Sequence, residues 1–96
     1  MEVKQNDNKH KGRFYIEIDG KVEGEMTYVW DGINKIVIDH TEVNESLKGK
    51  GAGKQLLHAA VTFARENELK IFPVCSFARS VFEKVPDYAD VLFKKL

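Results

Sequence analysis

Residues 47–54, Leu-Lys-Gly-Lys-Gly-Ala-Gly-Lys, place three glycines and three lysines between a strand-like stretch and an amphipathic one. Glycines let the backbone approach a ligand closely and leave N–H groups unscreened. A helix starting at such a turn adds free N–H groups and the positive end of its dipole. The combination suits an anion, most naturally phosphate, and Lys48, Lys50 and Lys54 add positive charge around it. The Walker A pattern fails, because Lys48 stands where its first Gly belongs and Gln55 where it needs Ser or Thr. The dinucleotide fingerprint fails as well: Gly49 and Gly51 supply its first two glycines, but Lys54 occupies the third position. What fits is a basic residue, two positions, Gly, one position, then Gly, which is Lys48, Gly51 and Gly53 with Gly49, Lys50 and Ala52 between them. A tight connection is the bland alternative, and this composition exceeds what a turn requires.

Cys75 is the single cysteine, so it has no internal disulfide partner. It falls between the end of an apolar stretch and the start of a helical one, where free helix N–H groups favour the nucleophilic form of a thiol. A thiolate there takes an acyl group from a thioester and passes it on; the alternative is a small buried hydrophobe. His40 shares one face with Ile36 and Ile38 by alternation, which makes it the candidate base, and Glu42 on the same face competes for that role. A histidine at a strand end bonded to a neighbour is the alternative. His10 and His58 read as solvated. Arg79, in the first turn of the second helix, is a candidate phosphate contact or a plain surface residue. Metal ligation is not expected, since neither CxxC nor HExxH is present.

The elements that must position these residues follow from periodicity. Phe14, Ile16 and Ile18 alternate with Arg13, Tyr15 and Glu17, and Asp19-Gly20 is a two-residue hairpin signal. A second strand over 21–30 puts Met26, Tyr28 and Trp30 on one face. After Asp31-Gly32 a third strand, from about 33 to 44, carries the run Ile36-Val37-Ile38 expected of a central position. Leu56, Ala60, Phe63 and Ala64 then recur at helical spacing, predicting an amphipathic helix over about 51–67. A fourth strand over 69–74 includes Pro73, which belongs near an edge or a bulge. A second helix follows over about 77–84, with Ser76 as N-cap and Pro86 as its stop. Residues 88–96 read as a last helical turn or short strand. The order β-β-β-α-β-α requires a right-handed crossover and a parallel pair next to an antiparallel three-strand meander, an α/β fold.

At 96 residues one domain is expected, with 1–12 as a flexible N-terminal arm and 13–96 as the folded unit. The composition, 43% hydrophobic and 31% charged, argues against wholesale disorder. Fifteen basic and fifteen acidic residues leave no net charge, which removes the electrostatic case for nucleic acid or an anionic membrane. No apolar run approaches the roughly twenty residues that span a bilayer, and the polar start lacks the apolar core of a signal peptide. A cytoplasmic monomer or weak homodimer is the expectation.

The loop resembles the pyrophosphate loop of the GNAT superfamily of N-acetyltransferases, and the likeness extends over roughly 33–88, where strand, loop, long helix, strand and short helix follow in that family's order. The resemblance implies a minimal GNAT-like fold whose cofactor is acetyl-coenzyme A. It implies that the loop amides hold the pyrophosphate and that the strand backbone near Glu42 and Val43 meets the pantetheine arm. Two departures stand out. The helices that full-length members place between their first two strands, one wall of the acceptor site, are replaced by Asp19-Gly20. Their Asn-x-x-Ala-x-x-x-Tyr motif, whose tyrosine is thought to protonate the leaving thiolate, reads Cys75-x-x-Ala78-x-x-x-Phe82. His40-Thr41-Glu42-Val43, the three loop glycines and Pro73-Val74-Cys75-Ser76-Phe77-Ala78 together resemble the minimal YjdJ-type acetyltransferases, for which the cysteine is the proposed functional residue.

The expected function is transfer of acetyl from coenzyme A to a small-molecule or protein amine, by way of Cys75 with His40 as its base. The alternative is a coenzyme A-binding sensor or assembly module without catalysis. A thiol redox role lacks a resolving thiol.

Overall fold

The computed structural model describes residues 1–94. The final segment expected over 88–96 therefore lies partly outside the described residues. The chain runs β1 (Lys4–Asp7), β2 (Lys11–Ile18), β3 (Lys21–Trp30), β4 (Lys35–Val43), α1 (Ala52–Glu66), β5 (Lys70–Pro73) and α2 (Ser76–Lys84), with 3-10 turns at Glu45–Leu47 and Pro86–Val91. The strands form one sheet in the order of the chain, antiparallel from β1 to β4 and parallel between β4 and β5. Phe14, Ile16, Met26, Tyr28, Ile36, Ile38 and Ile71 alternate onto one face of that sheet. There they meet Leu56, Leu57, Ala60, Val61 and Ala64 of α1, and Ala78, Val81 and Phe82 of α2, in one apolar cluster. The α/β class, the parallel crossover and the meander are as the periodicity predicts. Asp19 and Gly20 take positive φ values, 52° and 79°, the pairing a tight hairpin requires.

The expected flexible arm over 1–12 is corrected: β1 is a fourth meander strand, paired with β2 from Lys4↔Tyr15 to Asp7↔Gly12. Its turn is built from the polar residues that suggested fraying. Asn8 Oδ1 accepts from the N–H groups of His10 and Lys11, each at 2.9 Å, and Asp7 Oδ1 accepts from Lys9 N–H at 2.8 Å. Asn and Asp side chains make such turns because they bond their own backbone a few residues on. The strand is tied down by polar contacts. The Tyr28 hydroxyl donates to Asp7 Oδ2, Trp30 Nε1 donates to the same oxygen at 2.9 Å, and Gln5 Nε2 donates to the Tyr28 oxygen at 2.9 Å.

Burial disfavours the Asp7 carboxylate, but the bonds from Tyr28, Lys9 N–H and Trp30 outweigh it and hold its carboxyl below the ordinary 3.8. A carboxyl depressed on folding contributes stability above its unfolded value, and that contribution disappears as pH falls through the folded value. Wild type should thus melt above Asp7→Asn near neutrality, and the gap should close below about pH 4. A gap in melting temperature that stays constant from pH 7 to pH 2.5 would remove Asp7 as the clamp on β1.

Candidate functional site

Two features open a cleft where β4 and β5 part. The parallel pairing ends at Ile38↔Pro73, while β4 continues to Val43. Residues 39–43 therefore run beyond their last β5 partner, leaving that side of the β4 backbone to bond something else. Opposite Thr27 and Tyr28 of β3, which pair with His40 and Ile38, Asp39 is an extra residue in β4. A bulge of one residue reverses the faces beyond it. Thr41, paired with the fully buried Met26, and Val43, paired with Gly24, thus continue the helix-covered face.

The cleft, about 580 Å³, is lined by Thr41, Val43 and Leu47, by Lys48, Gly49, Gly51, Ala52, Gly53 and Lys54, and by Phe77. Gly49 and Gly51 sit at φ of +76° and +71°, where L side chains are strained, and Gly51 is the N-cap of α1 with no side chain to cap it. Lys48 N–H donates to Glu45 O, Lys50 N–H to Leu47 O and Gln55 N–H to Gly51 O. The N–H groups of Gly49, Gly51, Ala52, Gly53 and Lys54 meet no acceptor among the described residues. The loop is therefore a concave row of donors at the positive end of α1.

Cys75 is half-buried and is itself the N-cap of α2, a correction to the expected Ser76, which is the first helical residue. Its Sγ accepts from Ala78 N–H at 3.4 Å and lies 3.3 Å from Thr41 Oγ1. The sulfur is thereby fixed beside the cleft wall by two polar neighbours.

The structure does not bring His40 to Cys75. The bulge turns His40 and Glu42 to the opposite, exposed face, so neither candidate base shares a face with the thiol. Glu42 lies across from Glu25, in a shallow hollow it shares with Arg13 and Asn44. Thr41, one residue along, takes the place that alternation assigned to His40. Val43 lines the cleft, while Glu42 can meet a ligand there only through its backbone. Lys50 and Arg79 do not line it; Arg79 Nη2 donates to Val74 O at 2.8 Å and closes the β5–α2 corner. Phe82 is 8% exposed, edge-on to Tyr88, and points into the core. Phe77 is the site residue that periodicity missed: it packs against Gly53, and nothing in its spacing distinguishes it from a core phenylalanine. Among the described residues no group of three or more His, Cys, Asp or Glu is placed to hold a metal, and no helix is long and apolar enough to cross a membrane.

Residues 13–91 match the family model for GCN5-related N-acetyl-transferases. The protein NATD1 of Xenopus tropicalis is 26% identical over 83 residues, covering 85% of this chain and 75% of its own length. A GCN5-like protein from Staphylococcus aureus, solved by NMR, is 44% identical with a TM-score of 0.76, over 99% of this chain and 90% of that one. An aminoglycoside N-acetyltransferase, AAC(6')-Iy, solved in complex with CoA, has the same fold at 14% identity, with a TM-score of 0.63 over 98% of this chain and 92% of that one.

Proposed function

The chain belongs to the GCN5-related N-acetyltransferase family, and from that premise we propose that the cleft binds acetyl-coenzyme A and serves acetyl transfer to an amine. The observation that carries this reading is the row of five unpartnered N–H groups at Gly49, Gly51, Ala52, Gly53 and Lys54. They fit a diphosphate because the αL glycines present no Cβ in front of it, and Lys48 and Lys54 bring charge to the same cleft. The β4 backbone over 39–43, unpaired toward β5, fits the amide-bearing pantetheine arm. An aminoglycoside N-acetyltransferase of this fold is known with CoA bound, which supports the same ligand here. When bound, acetyl-coenzyme A supplies a thioester, an acyl group already activated for transfer.

The residues of this chain bind and orient. The loop amides hold the anionic end, Phe77 and Val43 wall the arm, and Cys75 Sγ, behind the lining, lies 3.3 Å from the Oγ1 of the lining residue Thr41. In the covalent version of the reaction, Cys75 Sγ forms a bond to the acetyl carbon. The carbon–sulfur bond to coenzyme A breaks, and the thiol proton leaves with the departing thiol. An amine then takes the acetyl from Sγ and returns a proton to it, so atoms and charge balance over the two halves. His40 and Glu42 are on the far face of β4 and would accept a proton only from an acceptor arriving there.

A second reading, a coenzyme A-binding module without turnover, is favoured by Phe82 being buried where other family members place a tyrosine and by the candidate bases being turned away. One set of measurements separates these. Coenzyme A titrated into the protein should release heat saturably and raise the melting temperature; neither effect at millimolar ligand would end the proposal. With radiolabelled acetyl-coenzyme A, label retained on the intact chain and absent from Cys75→Ala supports the cysteine route. Acetylated amine without label on the chain supports direct transfer. Binding with neither supports the module.

A further inference from the structure

The chain has three tyrosines, and none lines the cleft. Arg13 lies over the Tyr15 ring, the Tyr28 hydroxyl donates to Asp7, and the Tyr88 hydroxyl is 3.1 Å from His58 Nδ1. Phe82 has no proton to give. A departing thiolate therefore needs a different acid, and the lining offers few. Its polar side chains are Lys48 and Lys54 of the glycine loop and Thr41 of β4. Thr41 is the one in touch with a second proton donor, since its Oγ1 lies 3.3 Å from Cys75 Sγ. Cys75 itself is not part of the lining, so Thr41 is the link between the sulfur and the cleft. The bonding at the sulfur sets a direction. Ala78 N–H donates to Sγ at 3.4 Å and occupies a lone pair, which leaves the S–H hydrogen for Thr41 Oγ1. A hydroxyl that accepts one hydrogen still has its own to give. The bulge that delivers Thr41 is held from the open face of the sheet, where Thr27 Oγ1 donates to Asp39 Oδ1 at 2.6 Å.

We propose that Thr41 relays the Cys75 proton to the thiol that leaves, so that this pair does the work of the missing tyrosine. The assignment rests on the coenzyme A reading of the cleft and selects direct transfer over the covalent route. The acceptor nitrogen bonds the acetyl carbon, and the carbon–sulfur bond breaks with its electron pair kept by the sulfur. Thr41 gives that sulfur its hydroxyl proton and takes the Cys75 proton in the same step. Cys75, now a thiolate, recovers the proton shed by the acetylated nitrogen, so atoms and charge balance. A threonine hydroxyl acting alone is too weak an acid. As a relay it only couples two thiols, between which proton transfer is nearly even in energy.

Two kinds of measurement test it. Thiol release from acetyl-coenzyme A, with hydroxylamine as the amine, should fall about a hundredfold in Thr41→Val, the order expected for a positioned acid. Coenzyme A affinity by calorimetry should stay at the wild-type value. Thr41→Ser, which keeps the hydroxyl, should recover most of the rate. Cys75→Ala should lose as much as Thr41→Val, and the double variant no more, because the two groups act in one chain. Independently of turnover, iodoacetamide at pH 7 should alkylate Cys75 severalfold more slowly in Thr41→Val than in wild type or Thr41→Ser, since a hydroxyl on the sulfur favours the thiolate. Additive losses, equal alkylation rates, or acetyl label held by Cys75 would overturn the relay. Coenzyme A binding without thiol release would overturn it too and leave the module reading. No coenzyme A binding at all would remove the proposed function itself.

Discussion

Gly53→Ala should leave the fold standing and weaken coenzyme A binding at least about tenfold, roughly 1.4 kcal/mol. Gly53 is the second residue of α1, and alanine in a helix is worth up to about 1 kcal/mol over glycine. Its new Cβ, however, would lie 2.6 Å from Phe77 Cζ. The backbone is not in the way; the far edge of a half-buried ring is. Phe77 lines the cleft, so the open direction for the displaced ring is into the space the ligand needs. Stability and binding should therefore separate, with the melting temperature within a few degrees of wild type and affinity lost. Phe77→Ala combined with Gly53→Ala should recover much of the binding, because the two positions are in contact and their effects are not additive. Unchanged affinity in Gly53→Ala would show that the ring does not gate the cleft. A melting temperature lower by ten degrees would show that the contact belongs to the core instead.

The same one-methyl change at Gly12 should do the opposite. A Cβ there would lie 2.5 Å from the backbone oxygen of Asn6 and 2.5 Å from both Cζ and the hydroxyl of Tyr28. Tyr28 has no room to yield: it is 1% exposed, stacked at 5.3 Å on Phe14 and 6.2 Å from Phe63. Either β1 must leave β2 or the aromatic cluster must deform. Overpacking of this kind costs about 2 kcal/mol or more, which lowers the melting temperature of a domain this size by roughly 10 °C. Gly24→Ala is the matched control. Its Cβ would find Leu47 Cδ1 at 3.4 Å and Leu56 Cδ1 at 3.7 Å, ordinary contact distances. It should be near neutral in thermal melts. Equal melting temperatures for Gly12→Ala and wild type would mean that β1 is not held in the packed position its contacts describe.

Much of the architecture was legible locally. Alternating Phe14 and Ile16, the Asp19-Gly20 turn, the helical recurrence from Leu56 to Ala64 and the glycine-lysine loop each lie within a few residues of chain, and each appears where periodicity put it; Ile18, past a register shift at Ile16/Glu17, is 42% exposed and leaves the pattern. These features depend on backbone geometry and a single buried face, which a contiguous segment can specify by itself. β1 was hidden because its residues are polar. Its place is decided by Tyr28 and Trp30, more than twenty positions away, which offer Asp7 two donors. The site was only half legible. The glycine-lysine loop proposed to hold the diphosphate is contiguous, and so was legible; the contact of Cys75 with Thr41 spans thirty-four positions.

What decided that contact is a single extra residue in β4. Alternation places His40 beside Ile38 on the buried face, and it would do so in a regular strand. Asp39 bulges because β3 pairs Tyr28 with Ile38 and Thr27 with His40, a matter settled between two strands and not within either. From there on every side chain changes face: Thr41 goes to the thiol, and His40 and Glu42 go to the open side. A period of two carries no memory of its phase across an insertion. The sequence alone determined which residues were available for chemistry, and the pairing of strands determined which of them meet.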